Sequence, residues 1–102
     1  MSEDYKLFPG LAYDVYLVGS FGGDRTQYRI VRLDDQGSID IWVYRAKAWK
    51  RCKASGITLS SSYYTNKWKA LRQCNKFNGS HCCIPIEDFL FESARRLEAH
   101  YD

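Results

Sequence analysis

No stretch of this sequence is apolar for the ~20 residues that a membrane-spanning helix needs. The opening residues, MSEDYKLF, begin acidic and carry no apolar signal region. A cytosolic, reducing setting without membrane contact is the expectation that follows. Low-complexity tracts, internal repeats and linker-like runs are absent too. The 102 residues, 45% hydrophobic and 16% aromatic, therefore read as one small ordered domain over 1–102, with a single modest core.

Metal and catalytic patterns are equally sparse. Histidine is limited to His81 and His100, and no C-x2-C knuckle occurs. Cys74, His81, Cys82, Cys83 and the distant Cys52 supply enough zinc ligands by number, but the spacing suits neither a finger nor a ribbon. Cys82 and Cys83 would also face opposite sides of a strand. In a reducing compartment the cysteines are expected as thiols; oxidised, they would allow three pairings. A cysteine nucleophile beside either histidine has no marked oxyanion loop or orienting group. Glu87 and Asp88 sit at a predicted helix start, where the dipole explains them. We assign no catalytic residue, metal or cofactor, and the chain reads as a non-enzyme.

Gly19-Ser20-Phe21-Gly22 matches the short GxxG pattern that clamps a nucleic-acid backbone in KH domains. Here it falls between predicted strands, and the run lacks the lysine and hydroxyl order of a Walker loop. It reads as a glycine-rich connection.

Acidic residues are missing altogether from 54–83, which holds four bases. Residues 25–53 hold eight bases and three acids, whereas 1–24 holds one base and four acids and 84–102 two bases and five acids. A net +3 thus conceals a middle of +9 between two ends of −3 each. Such asymmetry marks a polyanion-binding face, or acidic ends folded back onto a basic middle.

The organising stretch is 27–53. Gln27–Leu33 and Ser38–Arg45 are β-rich runs flanking Asp34-Asp35-Gln36-Gly37. An Asp opens a type I turn through its side chain, and a glycine takes the left-handed position that ends a three-residue loop. The implied register sets Leu33, Val31 and Arg29 opposite Ile39, Ile41 and Val43. Arg32, Ile30 and Tyr28 then lie opposite Asp40, Trp42 and Tyr44 on the other side. Tyr13–Val18 reads as an earlier strand of the same antiparallel meander.

Two readings remain for 46–54: a strand continuing the hairpin, which is preferred, with Arg45, Lys47, Trp49 and Arg51 on one face, or a short helix closed by Ser55-Gly56. Ile57–Leu59 could add a short strand. The spacing predicts a helix over Ser62–Phe77, capped by Ser61 or Ser62 and stopped at Asn78-Gly79. Tyr64, Trp68, Leu71 and Cys74, widened by Ala70 and Phe77, form its apolar side, and Lys69, Arg72 and Lys76 a basic stripe. His81–Ile84 suits a strand closing the sheet. Pro85 opens a last helix to about His100, burying Ile86, Phe89 or Leu90, Ala94 and Leu97. The fold expected is α+β: an antiparallel sheet of about four to five strands with two helices packed on one face.

Arg45, Lys47, Lys50, Arg51 and Lys53 with Trp49, together with the Lys69-Arg72-Lys76 stripe, are the candidate binding residues. Single-stranded nucleic acid binds cationic grooves interleaved with aromatic platforms, here drawn from Tyr28, Trp42, Tyr44 and Trp49. The expected partner is nucleic acid or an acidic protein surface. The alternative is a small protein-interaction module, an inhibitor or adaptor of a larger enzyme, that uses exposed aromatic residues as anchors.

Overall fold

The computed structural model describes residues 13–22, 25–77 and 82–101. Strands β1 (Tyr13–Gly22), β2 (Arg25–Asp34), β3 (Ile39–Val43) and β4 (Ala48–Cys52) form an antiparallel meander. A two-residue β5 (Ile84–Pro85) lies parallel to β1, so the described sheet runs β4-β3-β2-β1-β5. Helix α1 (Ala54–Ile57) is a single turn, α2 covers Lys67–Lys76 and α3 covers Ile86–Tyr101. The architecture is α+β with a mostly antiparallel sheet, as expected.

The hairpin forms as its chemistry dictates. Asp34 Oδ1 accepts from the backbone N–H of Gln36 (3.0 Å) and of Ser38 (2.8 Å), while the Gly37 N–H donates to the Asp34 carbonyl. Gly37 takes φ +90°, the left-handed geometry that glycine adopts without strain. Val31 pairs with Ile41, Arg32 with Asp40 and Leu33 with Ile39, the register anticipated for those residues.

The two long helices do not share a face. Alternation along the strands splits the core in two. Val18, Val31, Leu33, Ile39 and Ile41 pack with Ile57 of α1 and with Ile86 and Phe89 of α3. Val15, Leu17 and Ile30 face the other way, onto Ala70 and Cys74 of α2. The expected one-sided packing is thereby replaced by a sheet covered on both sides. Both of its central strands carry apolar residues on either face.

Several boundaries differ from expectation. Gly19 to Gly22 continue β1 instead of forming a loop. The chain reverses at Tyr44–Lys47, with Lys47 at φ 51°, so 48–52 is a new edge strand and not an extension of β3. Ile57 ends α1, and 57–59 adds no strand. Residues 62–66 precede α2, and Tyr64 bridges to Tyr28 through paired backbone hydrogen bonds of 2.7 and 2.8 Å. The α2 cap is Asn66, not a serine: its side chain accepts from the N–H of Trp68 and Lys69. The predicted stop at Asn78-Gly79 and the ligand His81 lie outside the described residues. In α3, Ala94 and Leu97 are exposed, and Ser93 is the buried residue after Phe89. Ser93 Oγ donates to the Gly37 carbonyl at 2.8 Å, and Arg96 ties α3 to Asp14 (2.6 Å) and to the Asp34 carbonyl (3.0 Å). Polar docking at the hairpin tip replaces the apolar contacts that periodicity implied.

Candidate nucleic-acid interface

Helix α2 reads KWKALRQCNK. At 3.6 residues per turn, Ala70 and Cys74 fall on one side, and Trp68, Lys69, Arg72 and Lys76 on the opposite side. The small Ala70 and Cys74 are fully buried against the sheet, with Leu71 and Phe77 half-buried beside them. Trp68, which the apolar count placed in the core, is instead 73% exposed and stands among the cations.

The helix has no acidic residue, and no carboxylate offsets its first turn. Lysines there oppose the positive end of the dipole by roughly 0.3–1 kcal/mol each. Like-charge spacing of Lys69 with Arg72, and of Arg72 with Lys76, costs roughly 0.2–0.5 kcal/mol per pair. Only Lys76, in the last turn, suits its helix end. Among the described residues, Lys67, Lys69, Arg72 and Lys76 make no ion pair with a protein carboxylate. This concentration of charge works against helix stability.

The carboxylates that do form ion pairs are engaged elsewhere. Asp14 and Glu92 meet Arg96 at 2.6 and 2.9 Å, and Glu92 also meets Arg95 at 2.6 Å. Hydrogen bonds from Arg95 and then Arg96 hold the Glu92 carboxyl down at about 2. The paired acids of the two ends thus bind arginines of α3, not the basic middle.

The nine candidate residues are distributed over four places. Lys69, Arg72 and Lys76 share the outer side of α2. Arg45 and Lys47 sit in the exposed β3–β4 turn, where Arg45 lies 6.0 Å over the Tyr44 ring. Tyr44 contacts the Tyr64 ring at 5.4 Å, two residues before the Asn66 cap, which joins the turn to the approach to α2. Trp49 is half-buried on the same side of the sheet, tilted against Trp42 and Phe77 at 5.4 and 4.9 Å, with the Arg32 guanidinium 4.6 Å above its ring. Arg51 bonds to Asp40 at 2.8 Å and lies 3.8 Å from Asp34. Lys50 alternates with Trp49 and Arg51 and so faces the opposite side of the sheet, where Lys53, just beyond the end of β4, lines the same cleft.

The expected platforms are largely occupied. Tyr28, Trp42 and Tyr44 are half-buried, and Trp42 packs edge-on to Phe77 at 4.9 Å. Trp68 is the residue this reasoning missed. Its signal was the helix phase itself, with Ala70, Leu71, Cys74 and Phe77 forming an apolar side that is complete without it.

None of the four cysteines forms a disulfide. Burial pushes the thiols of Cys52 and Cys83 up, the reverse of what activates a nucleophile. Among the described residues, no group of three or more His, Cys, Asp or Glu could hold a metal ion. None of the described helices is long and apolar enough to cross a membrane. Compared with models of protein families, with curated proteins and with solved structures, the chain matches none.

Proposed function

We propose that the protein is a non-enzymatic binding protein that takes nucleic acid on the outer side of α2, extended by Arg45 and Lys47 of the neighbouring turn. The observation that carries this reading is Trp68, an exposed aromatic ring set among cations that have no counter-charge among the described residues. Phosphates would engage Lys69, Arg72 and Lys76, and a base would stack on Trp68. Charge that costs helix stability is retained where an external anion repays it.

Fluorescence anisotropy with labelled single- and double-stranded oligonucleotides, at several salt concentrations, tests the reading. Affinity should fall linearly on a log–log plot against salt, with a slope of about −0.7 to −0.9 per phosphate neutralised. Arg72→Glu with Lys76→Glu should abolish binding. An affinity no tighter than ~10⁻⁴ M at low salt would sink the proposal.

A second reading rests on different residues. Phe91 and Leu59 are 73% and 84% exposed and lie outside α2. Exposed apolar residues of this kind suit a protein-interaction module, an inhibitor or adaptor. In that case Phe91→Ser would impair function and the Arg72→Glu/Lys76→Glu pair would not.

A further inference from the structure

On the side of the sheet away from α2, β4 and the segment that follows it border an open cleft of about 600 Å³. That is within the roughly 300–1,000 Å³ of small-molecule sites. Ile41 and Val43 form an apolar floor, Leu59 stands at the margin, and Lys50, Lys53 and a series of serines from Ser55 to Ser62 supply polar lining, with Arg51 also at the wall but its guanidinium turned to Asp40 at 2.8 Å. No carboxylate among the described residues lines it. Neither lysine is ion-paired among the described residues.

A further cation stands behind the wall. Arg29 is 2% exposed. Its Nη2 donates to Gln27 Oε1 (2.9 Å) and to the carbonyls of Thr58 (3.2 Å) and Ser60 (2.8 Å), and its guanidinium lies 5.2 Å from the Tyr63 ring. Its Nε is buried without a hydrogen-bond partner, and no carboxylate pairs with the group among the described residues. Burying an unneutralised guanidinium costs several kcal/mol by the general rule. Ser60 links the two features, because its carbonyl receives Arg29 and the residue itself lines the cleft. A charge held in low dielectric acts farther than one in water. The cleft is therefore electropositive from its rim and from its back wall.

We propose that this cleft binds a phosphate monoester carried on an apolar organic body. Lys50 and Lys53 act as point charges on the phosphate oxygens, the hydroxyls of Ser55, Ser60 and Ser61 donate to the same oxygens, and the body rests on Ile41 and Val43. Phosphate is favoured over carboxylate because the donors are compact ammonium and hydroxyl groups, several of them, while the guanidinium of the lining Arg51 is already bonded to Asp40 at 2.8 Å. The site is separate from the α2 surface and does not depend on the nucleic-acid reading.

The test uses the full chain, backbone and methyl NMR, and phenyl phosphate as probe, with inorganic phosphate, phenol and benzoate as parallel arms. Phenyl phosphate should give saturable shifts at Ile41, Val43 and residues 55–62, with Kd below ~1 mM. Inorganic phosphate should bind more weakly for want of the apolar contact, and phenol and benzoate more weakly still. Lys50→Gln with Lys53→Gln, both at exposed positions that leave the fold alone, should weaken phenyl phosphate at least about tenfold. Oligonucleotide binding by that double variant should stay within about twofold of the parent. The proposal is overturned by the absence of saturable shifts up to ~10 mM, by benzoate binding as tightly as phenyl phosphate, or by undiminished binding in the double variant. A parallel loss of oligonucleotide binding would also overturn it, since the cleft would then belong to the polyanion surface.

Discussion

Trp68 and Trp42 have the same side chain and opposite duties. Trp68→Ala removes a ring that is mostly in water, so it should shift unfolding free energy by no more than about 0.5 kcal/mol. It should still weaken single-stranded oligonucleotide binding by about tenfold, the value of one stacked base. Trp42→Ala empties the aromatic cluster with Trp49 and Phe77 and should cost about 3–5 kcal/mol in chemical denaturation. Gly37 is constrained twice: by its φ of +90° and by α3, whose Ser93 carbonyl and Leu97 Cγ would lie 2.7 and 2.8 Å from an added Cβ. Gly37→Ala should lose at least about 1–3 kcal/mol and lower the melting temperature. The Glu92 carboxyl, held down at about 2 from an ordinary 4.5, contributes stability that is complete above its unfolded value. That contribution is lost as pH falls from about 4.5 toward 2. Thermal melts across this window should show a decline that Glu92→Gln makes shallower.

At the scale of elements, legibility followed how local the determining chemistry was. The β2–β3 hairpin was readable because Asp34, Gly37 and the alternating residues around them settle turn and register within a dozen positions. The start of α2 was not, since Ser61, Ser62 and Asn66 are comparable caps, and the choice was made by Tyr64 pairing with Tyr28 across the sheet. Asn66→Ala should therefore cost about 1 kcal/mol and reduce helical circular dichroism, whereas Ser61→Ala should do neither. The last half of α3 misled for another reason. Leu97 and Ala94 satisfy helical periodicity, yet the hairpin tip presents a carbonyl at Gly37 that a hydroxyl at Ser93 can use. For the site, the basic stripe of α2 was legible as a stripe, while the reversal at Tyr44–Lys47 that splits Lys50 and Lys53 from it depends on a positive φ at a lysine, which residue preferences do not announce.

For the whole molecule, the two-sided sheet has its own sequence signal. Val15-Tyr16-Leu17-Val18 is apolar at consecutive positions, the mark of a strand buried on both faces, and not the alternation of a half-exposed one. Deleting 86–102 should then leave a chain that retains α2 against one face but exposes Val18, Val31 and Ile41 on the other. Dye binding and light scattering should both rise relative to the full chain.

The ion pair between Asp14 and Arg96, with β5 laid beside β1, sutures the beginning of the described chain to its end. Folding on the ribosome must therefore wait: the meander can assemble early, but one of its two greasy faces has no shelter until Ile86 and Phe89 have been translated. A newly made molecule passes through an interval in which it is sticky, and slowing translation near residue 85 would lengthen that interval and raise the fraction lost to aggregation.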